Sequence, residues 1–109
     1  MDLCKKTIGK IGLVLEKTDS YSSDDTETTV FCLYITNYSE KRITGKIILR
    51  TVPPVAILPG DDIMMSVKPE GTISMEFKAV KPVDSETPGL LVIIQPDEGN
   101  EITARFEKE

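Results

Sequence analysis

Ile73-Ser74-Met75-Glu76-Phe77-Lys78-Ala79-Val80 is the stretch whose pattern decides the fold class. Ile73, Met75, Phe77 and Ala79 alternate with Ser74, Glu76, Lys78 and Val80. Period-two alternation over this length puts one set of side chains on a buried face of a β-strand. Ile102, Ala104 and Phe106 alternate with Thr103, Arg105 and Glu107 in the same way, and Ile43, Gly45, Ile47 and Leu49 oppose Thr44, Lys46, Ile48 and Arg50. The runs 30–35 and 90–94 are apolar at almost every position, which predicts central strands packed on both sides. A first strand is predicted over 8–17, with Ile11, Leu13 and Leu15 on one face, and two shorter strands over 55–58 and 63–67.

The punctuation between these runs agrees. Asp19-Ser20-Tyr21-Ser22-Ser23-Asp24-Asp25 reads as a polar loop and Asn37-Tyr38-Ser39-Glu40 as a turn, while Pro53-Pro54, Pro59-Gly60, Pro69-Glu70-Gly71, Pro82 and Pro88-Gly89 separate the later runs. Proline fixes φ and cannot donate to a central ladder, and glycine frees φ at turns. Pro96-Asp97-Glu98-Gly99-Asn100 is predicted to close a hairpin. The loop 19–27 is the most flexible stretch expected, and 81–88 the second. No segment carries a capped helical period. The expectation is therefore all-β: an immunoglobulin-like β-sandwich of seven or eight antiparallel strands, forming one domain over residues 1–109, with 1–6 a polar lead-in expected to lack structure.

Composition bounds the chemistry. The 109 residues hold 13 Lys+Arg against 18 Asp+Glu, a net charge of −5, with no His and two Cys. The absence of His removes the commonest general base and metal ligand, and an acidic chain is a poor partner for phosphate backbones. Cys32 lies inside an apolar run and reads as a buried free thiol acting as a small hydrophobe, with a disulfide to Cys4 as the alternative. The start Met1-Asp2-Leu3-Cys4-Lys5-Lys6 lacks the apolar stretch of a signal peptide, and no run approaches the length of a membrane span. A cytoplasmic location is expected. In that setting the sequon Asn37-Tyr38-Ser39 reads as turn chemistry rather than a glycosylation site.

The carboxylate pairs Asp24-Asp25 and Asp61-Asp62 fall in predicted loops and read as solvated charge. Asp19, Asp24, Asp25 and Glu27 offer oxygen ligands for Ca²⁺ but lack EF-hand spacing. No enzyme activity, cofactor or metal is expected. More suggestive is one strand: Lys46 and Arg50 share its polar face with Ile48, and Lys78 is expected to approach from another strand. The bland alternative is a solvated face with edge-protecting lysines. Leu91 and Ile93, or else Leu90 and Ile94, must also face outward, unless a second layer covers them.

The order of segments carries a resemblance. Lys10-Ile11-Gly12-Leu13 opens a first strand, Val30-Phe31-Cys32-Leu33-Tyr34-Ile35-Thr36-Asn37-Tyr38-Ser39 reads as strand plus Asn turn, and 43–49 follows. Then come Ser66-Val67-Lys68-Pro69, a Gly turn, 73–79, and Pro88-Gly89-Leu90-Leu91-Val92-Ile93-Ile94. This resembles the immunoglobulin-like sandwich subdomain of the appendage (ear) of clathrin-adaptor large chains. The resemblance implies an eight-stranded sandwich and a non-enzymatic module that recruits partners through short linear peptides in vesicle trafficking; no site residue of that family carries over individually. The expected function is a protein- or peptide-binding module using Lys46, Ile48, Arg50 and Lys78, without nucleic acid or membrane insertion. The alternatives are a structural or assembly module of a prokaryotic or viral system, and a small intracellular inhibitor that presents the loop 19–25 or 81–88 to a protease.

Overall fold

In the computed structural model, which describes residues 3–86 and 88–106, nine strands form two antiparallel sheets. They are β1 (Leu3–Ile8), β2 (Ile11–Ser23), β3 (Thr26–Asn37), β4 (Ile43–Val52), β5 (Ala56–Leu58), β6 (Asp62–Val67), β7 (Thr72–Pro82), β8 (Gly89–Pro96) and β9 (Ile102–Phe106). One sheet has the order β1-β2-β3-β7-β5 and the other β6-β4-β8-β9. This is the expected β-sandwich, with nine strands in place of seven or eight. No helix occurs among the described residues, and none is long and apolar enough to cross a membrane.

The alternation that predicts the strands also builds the core. Ile11, Leu13, Leu15, Leu33, Ile35 and Phe77 of the five-stranded sheet face Ile47, Leu49, Met65, Val67, Leu90, Val92, Ile94, Ala104 and Phe106 of the four-stranded sheet. Phe31 and Phe77, directly opposite in the register of β3 and β7, stack with centroids 5.3 Å apart. Burying such side chains between two sheets is the main stabilising term of a sandwich. One side is closed by β1 and β9, where the Lys6 ammonium lies 5.7 Å from the centre of the Phe106 ring.

Four sequence expectations change. The run 8–17 is not one strand: Gly9, at φ +59°, turns the chain between Ile8 and Ile11. Residues 3–8 are therefore a paired edge strand rather than an unstructured lead-in, and residues 1–2 lie outside the described residues. The stretch 19–27 is not a loop either. β2 and β3 stay paired out to Ser23 and Thr26, with a register shift between Lys17 and Asp19, and Asp24-Asp25 make the turn. β7 likewise runs on to Pro82. There Lys81, almost fully buried, donates to the Ser85 carbonyl at 3.0 Å and lies 3.8 Å from Glu27, which ties the chain after β7 to β3.

Cys32 is the fourth. It is half-buried on the outer face of the five-stranded sheet, where its register partners are Glu16 and Glu76. In the run 30–35 it is Phe31, Leu33 and Ile35 that join the core between the sheets; Val30 is buried outside that cluster and Cys32 is only half-buried, so the expected core position is not one. Cys4 pairs with Leu15 and so lies on the opposite face; both thiols are free.

Asn37 is turn chemistry, as expected. Its Oδ1 accepts from the Ser39 N–H at 2.9 Å and the Ser39 hydroxyl at 2.7 Å, and its side chain is fully buried.

Candidate interaction surface

β4 places its side chains on two faces. Gly45, Ile47, Leu49 and Thr51 point inward and are buried; Thr44, Lys46, Ile48, Arg50 and Val52 point outward. β8 adds Leu91 and Ile93 to that outer face, with Leu90, Val92 and Ile94 in the core, which resolves the choice the sequence leaves open. Ile48 sits directly opposite Ile93, and Arg50 opposite Leu91. On the other flank Ile48 faces Asp62, and Lys46 faces Met64. The result is an apolar band over β6, β4 and β8 that bends round Arg50: Met64, Ile48, Ile93, Leu91 and Val52. Its ends are well exposed, Met64 at 73% and Val52 at 62%.

The charges beside this band come as pairs. Arg50 Nη1 lies 3.2 Å from Asp61 Oδ2, and Lys46 Nζ lies 3.7 Å from Asp62 Oδ2. The carboxylates that the sequence suggests are solvated loop charge are thus the partners of the two strip bases. The reason is positional. Asp61 immediately precedes β6, where its carbonyl accepts the Leu49 N–H at 2.8 Å, and Asp62 opens β6 beside β4. All four groups are about half exposed, so each pair is worth well under about 1 kcal/mol to folding. Such pairs are easily opened by a partner that offers its own charges.

Three of the four anticipated residues come together: Lys46, Ile48 and Arg50 lie along one face. Lys78 does not join them. It lies on β7 in the five-stranded sheet, and because Phe77 and Ala79 point into the core, Lys78 points away from it, on the far side of the sandwich. Met64 and Val52 are the members of the band that sequence reasoning misses. Val52 continues the outward alternation of β4 past Arg50, and Met64 is signalled by the alternation of Ile63-Met64-Met65-Ser66-Val67, where Met65 and Val67 take the inner face.

The outer face of the five-stranded sheet differs in character. Glu16, Cys32, Tyr34 and Glu76 lie on it. The phenol of Tyr34 is raised above its ordinary pKa first by the polar influence of the neighbouring Cys32 side chain and then by the Glu16 carboxylate. Removing the sulfur is expected to lower that value, so the Tyr34 ring resonances of Cys32→Ala titrate at lower pH than in the parent; an unmoved titration would show that the sulfur is not the cause. Because the folded value is the raised one, the small stabilising contribution is complete below the ordinary phenol pKa. It is lost as pH rises through the folded value. Among the described residues no group of three or more Cys, Asp or Glu is arranged to hold a metal ion.

The fold and this surface define the chain as a two-layer β-sandwich with one partly apolar outer face. No protein-family model matches it, and no curated protein sequence does. Solved structures do share the architecture. A FixG-related protein from Vibrio parahaemolyticus is similar with a TM-score of 0.58 at 11% identity, over 94% of this chain and 99% of that one. The Northeast Structural Genomics Consortium target SoR45 is similar with a TM-score of 0.50 at 12% identity, over 89% of this chain and 80% of that one. At such identities the likeness shows the fold alone, and function has to be argued from the site.

Proposed function

We propose that this protein is a non-enzymatic binding module that docks a protein partner on the outer face of its four-stranded sheet. The observation that carries the reading is the apolar band Met64-Ile48-Ile93-Leu91-Val52, which lies on the face of a two-layer sandwich that is turned away from the core. A central apolar patch with a rim of opened or re-paired charges is the usual anatomy of a protein interface. The partner that fits is a short segment with an apolar anchor between acidic residues: the anchor lies on Ile48, and its carboxylates take over Arg50 and Lys46 from Asp61 and Asp62. The −5 charge and the lack of His support a protein ligand over nucleic acid and recognition over catalysis.

Recruitment through short linear motifs in vesicle trafficking, as in adaptor appendages, with a cytoplasmic location, is the narrower form of this proposal. Its support is the order of segments along the sequence and the shared face of Lys46, Ile48 and Arg50; the similar solved structures bear on the fold only.

The test is binding of a labelled acidic peptide carrying one phenylalanine. Ile48→Asp is expected to weaken it at least about tenfold, a loss of roughly 1.4 kcal/mol, and joint Lys46→Glu and Arg50→Glu to weaken it as much. Lys78→Glu is expected to leave it unchanged. Binding that ignores Ile48→Asp and the joint charge reversal, in variants that melt like the parent, would refute the surface.

A further inference from the structure

β7 is only partly covered on the side away from β3. β5 pairs with it at Lys78, Ala79 and Val80 alone. After Leu58 the chain passes through Pro59 and Gly60 and crosses to the other sheet, where the Asp61 carbonyl accepts the Leu49 N–H. The half of β7 from Thr72 to Phe77 therefore has no strand on that side among the described residues.

The direction of its main-chain groups follows from the register. Asn37 N–H donates to the Gly71 carbonyl at 2.9 Å, one step beyond the last register pair of β3 and β7, Thr36 with Thr72. In an antiparallel ladder the bonded pairs alternate, so the odd-numbered residues of β7 direct their N–H and C=O groups at β3. Thr72, Ser74 and Glu76 direct theirs at the open side, and all three are exposed. The side chains alternate at right angles to this. Ile73 and Met75 point between the sheets and are only half-buried, as are Ile57 and Ile63 of the neighbouring β5 and β6. Where β5 stops, a groove of about 230 Å³ opens, lined by Leu58, Pro59, Glu76, Phe77 and Lys78. Lys and Pro, the commonest guards of a sheet edge, are absent here: β1 carries Lys5 and Lys6, and β5 is three residues long between prolines, whereas 72–77 has neither and carries a single charge, Glu76.

We propose that this edge takes an extended segment of a partner protein by strand addition, continuing the line of β5. Main-chain groups of Thr72, Ser74 and Glu76 supply the hydrogen bonds, and the side chains set the sequence preference. Residues of the incoming strand opposite Ile73, Met75 and Phe77 turn inward and must be apolar. Those opposite Thr72, Ser74 and Glu76 face water, with a base favoured opposite Glu76. A second copy of this chain is the less suitable occupant, because one short edge on edge buries less surface than a stable dimer needs. This site is separate from the outer-face band, lies on the other sheet, and stands or falls independently of it.

The experiment is amide hydrogen exchange on the full chain, with and without about 1 mM of a peptide of about seven residues that alternates valine with serine and carries one lysine to oppose Glu76. The expected result is slowing of the Thr72, Ser74 and Glu76 amides by about tenfold or more. Ser74→Pro removes an N–H that β3 does not use, and proline is tolerated on an edge; the variant is expected to melt like the parent and to lose the slowing at Glu76. Should Ser74→Pro fail to fold, Glu76→Lys decides: it is expected to abolish the effect of the lysine peptide and to restore it with a glutamate peptide. Amides that do not slow, slowing at Glu76 that survives Ser74→Pro, a glutamate peptide that fails to restore the effect in Glu76→Lys, or slowing that appears with protein concentration alone would each overturn the proposal.

Discussion

Asn37→Ala is expected to lower folding stability by about 3–4 kcal/mol, because five hydrogen bonds of one buried side chain go at once, the one to Val67 fully buried. Asn37 ends β3 in the five-stranded sheet, and its side chain is 0% exposed. Its Nδ2 donates to the carbonyls of Lys41 at 2.7 Å, Val67 at 3.1 Å and Lys68 at 3.3 Å. Val67 ends β6 in the opposite sheet, so one amide joins the two layers and the turn after β3. Alanine strands these carbonyls along with the Ser39 N–H. Water can reach the partly exposed ends at Lys41 and Lys68, but the bond to Val67 is buried. The thermal midpoint is expected to fall by roughly 10–20 °C. Asn37→Asp is expected to be at least as damaging at neutral pH, since a carboxylate keeps the acceptor and sets negative charge against three carbonyl oxygens. A melt of Asn37→Ala within about 2 °C of the parent, less than one ordinary hydrogen bond is worth, would show that the layers do not depend on this side chain.

Gly45→Ala is expected to lower stability by about 2–4 kcal/mol, through overpacking against backbone rather than through loss of a contact. Gly45 faces Pro96 across β4 and β8. A Cβ there would overlap the Gln95 carbonyl oxygen and stand 2.8 Å from Pro96 Cα, with Gly45 at φ +158°. Those atoms belong to the neighbouring strand, so relief requires moving the strand and not a side chain. Denaturant unfolding is expected to show a lower midpoint with an unchanged slope. Gly60→Ala, where a Cβ meets nothing within 4 Å, is expected to stay within about 0.5 kcal/mol. Equal midpoints for the two variants would refute the steric account.

These two positions mark how far the sequence can be read. The alternation through 73–80 and 102–106 gives strand, face and core directly, because each of those strands has one buried side. Gly45 is recognisable as inward-facing by the same rule, but the reason it must be glycine lies on β8, fifty residues away in sequence. The stretch 19–27 reads as loop because its serines and aspartates bury no face; it is a hairpin because β3 and β7 carry its main-chain pairing onward. The site divides in the same way. That Lys46, Ile48 and Arg50 share a face follows from period two. That Lys78 lies on the other sheet, and that Asp61 and Asp62 meet Arg50 and Lys46, follows from which strands become neighbours, and that is set by non-local packing.

The route from β4 to β7 has a dynamic consequence. Four successive strands alternate between the layers, β4 and β6 in one, β5 and β7 in the other. Neither sheet can peel away while the other persists, since each crossing would have to tear; the sandwich body should open as one cooperative unit. The far ends of β2 and β3 stand outside that stitching. Residues 17–25 are exposed throughout, at one end of a molecule 47 Å long. That hairpin tip can fray and re-form by itself, at a free energy well below that of global unfolding.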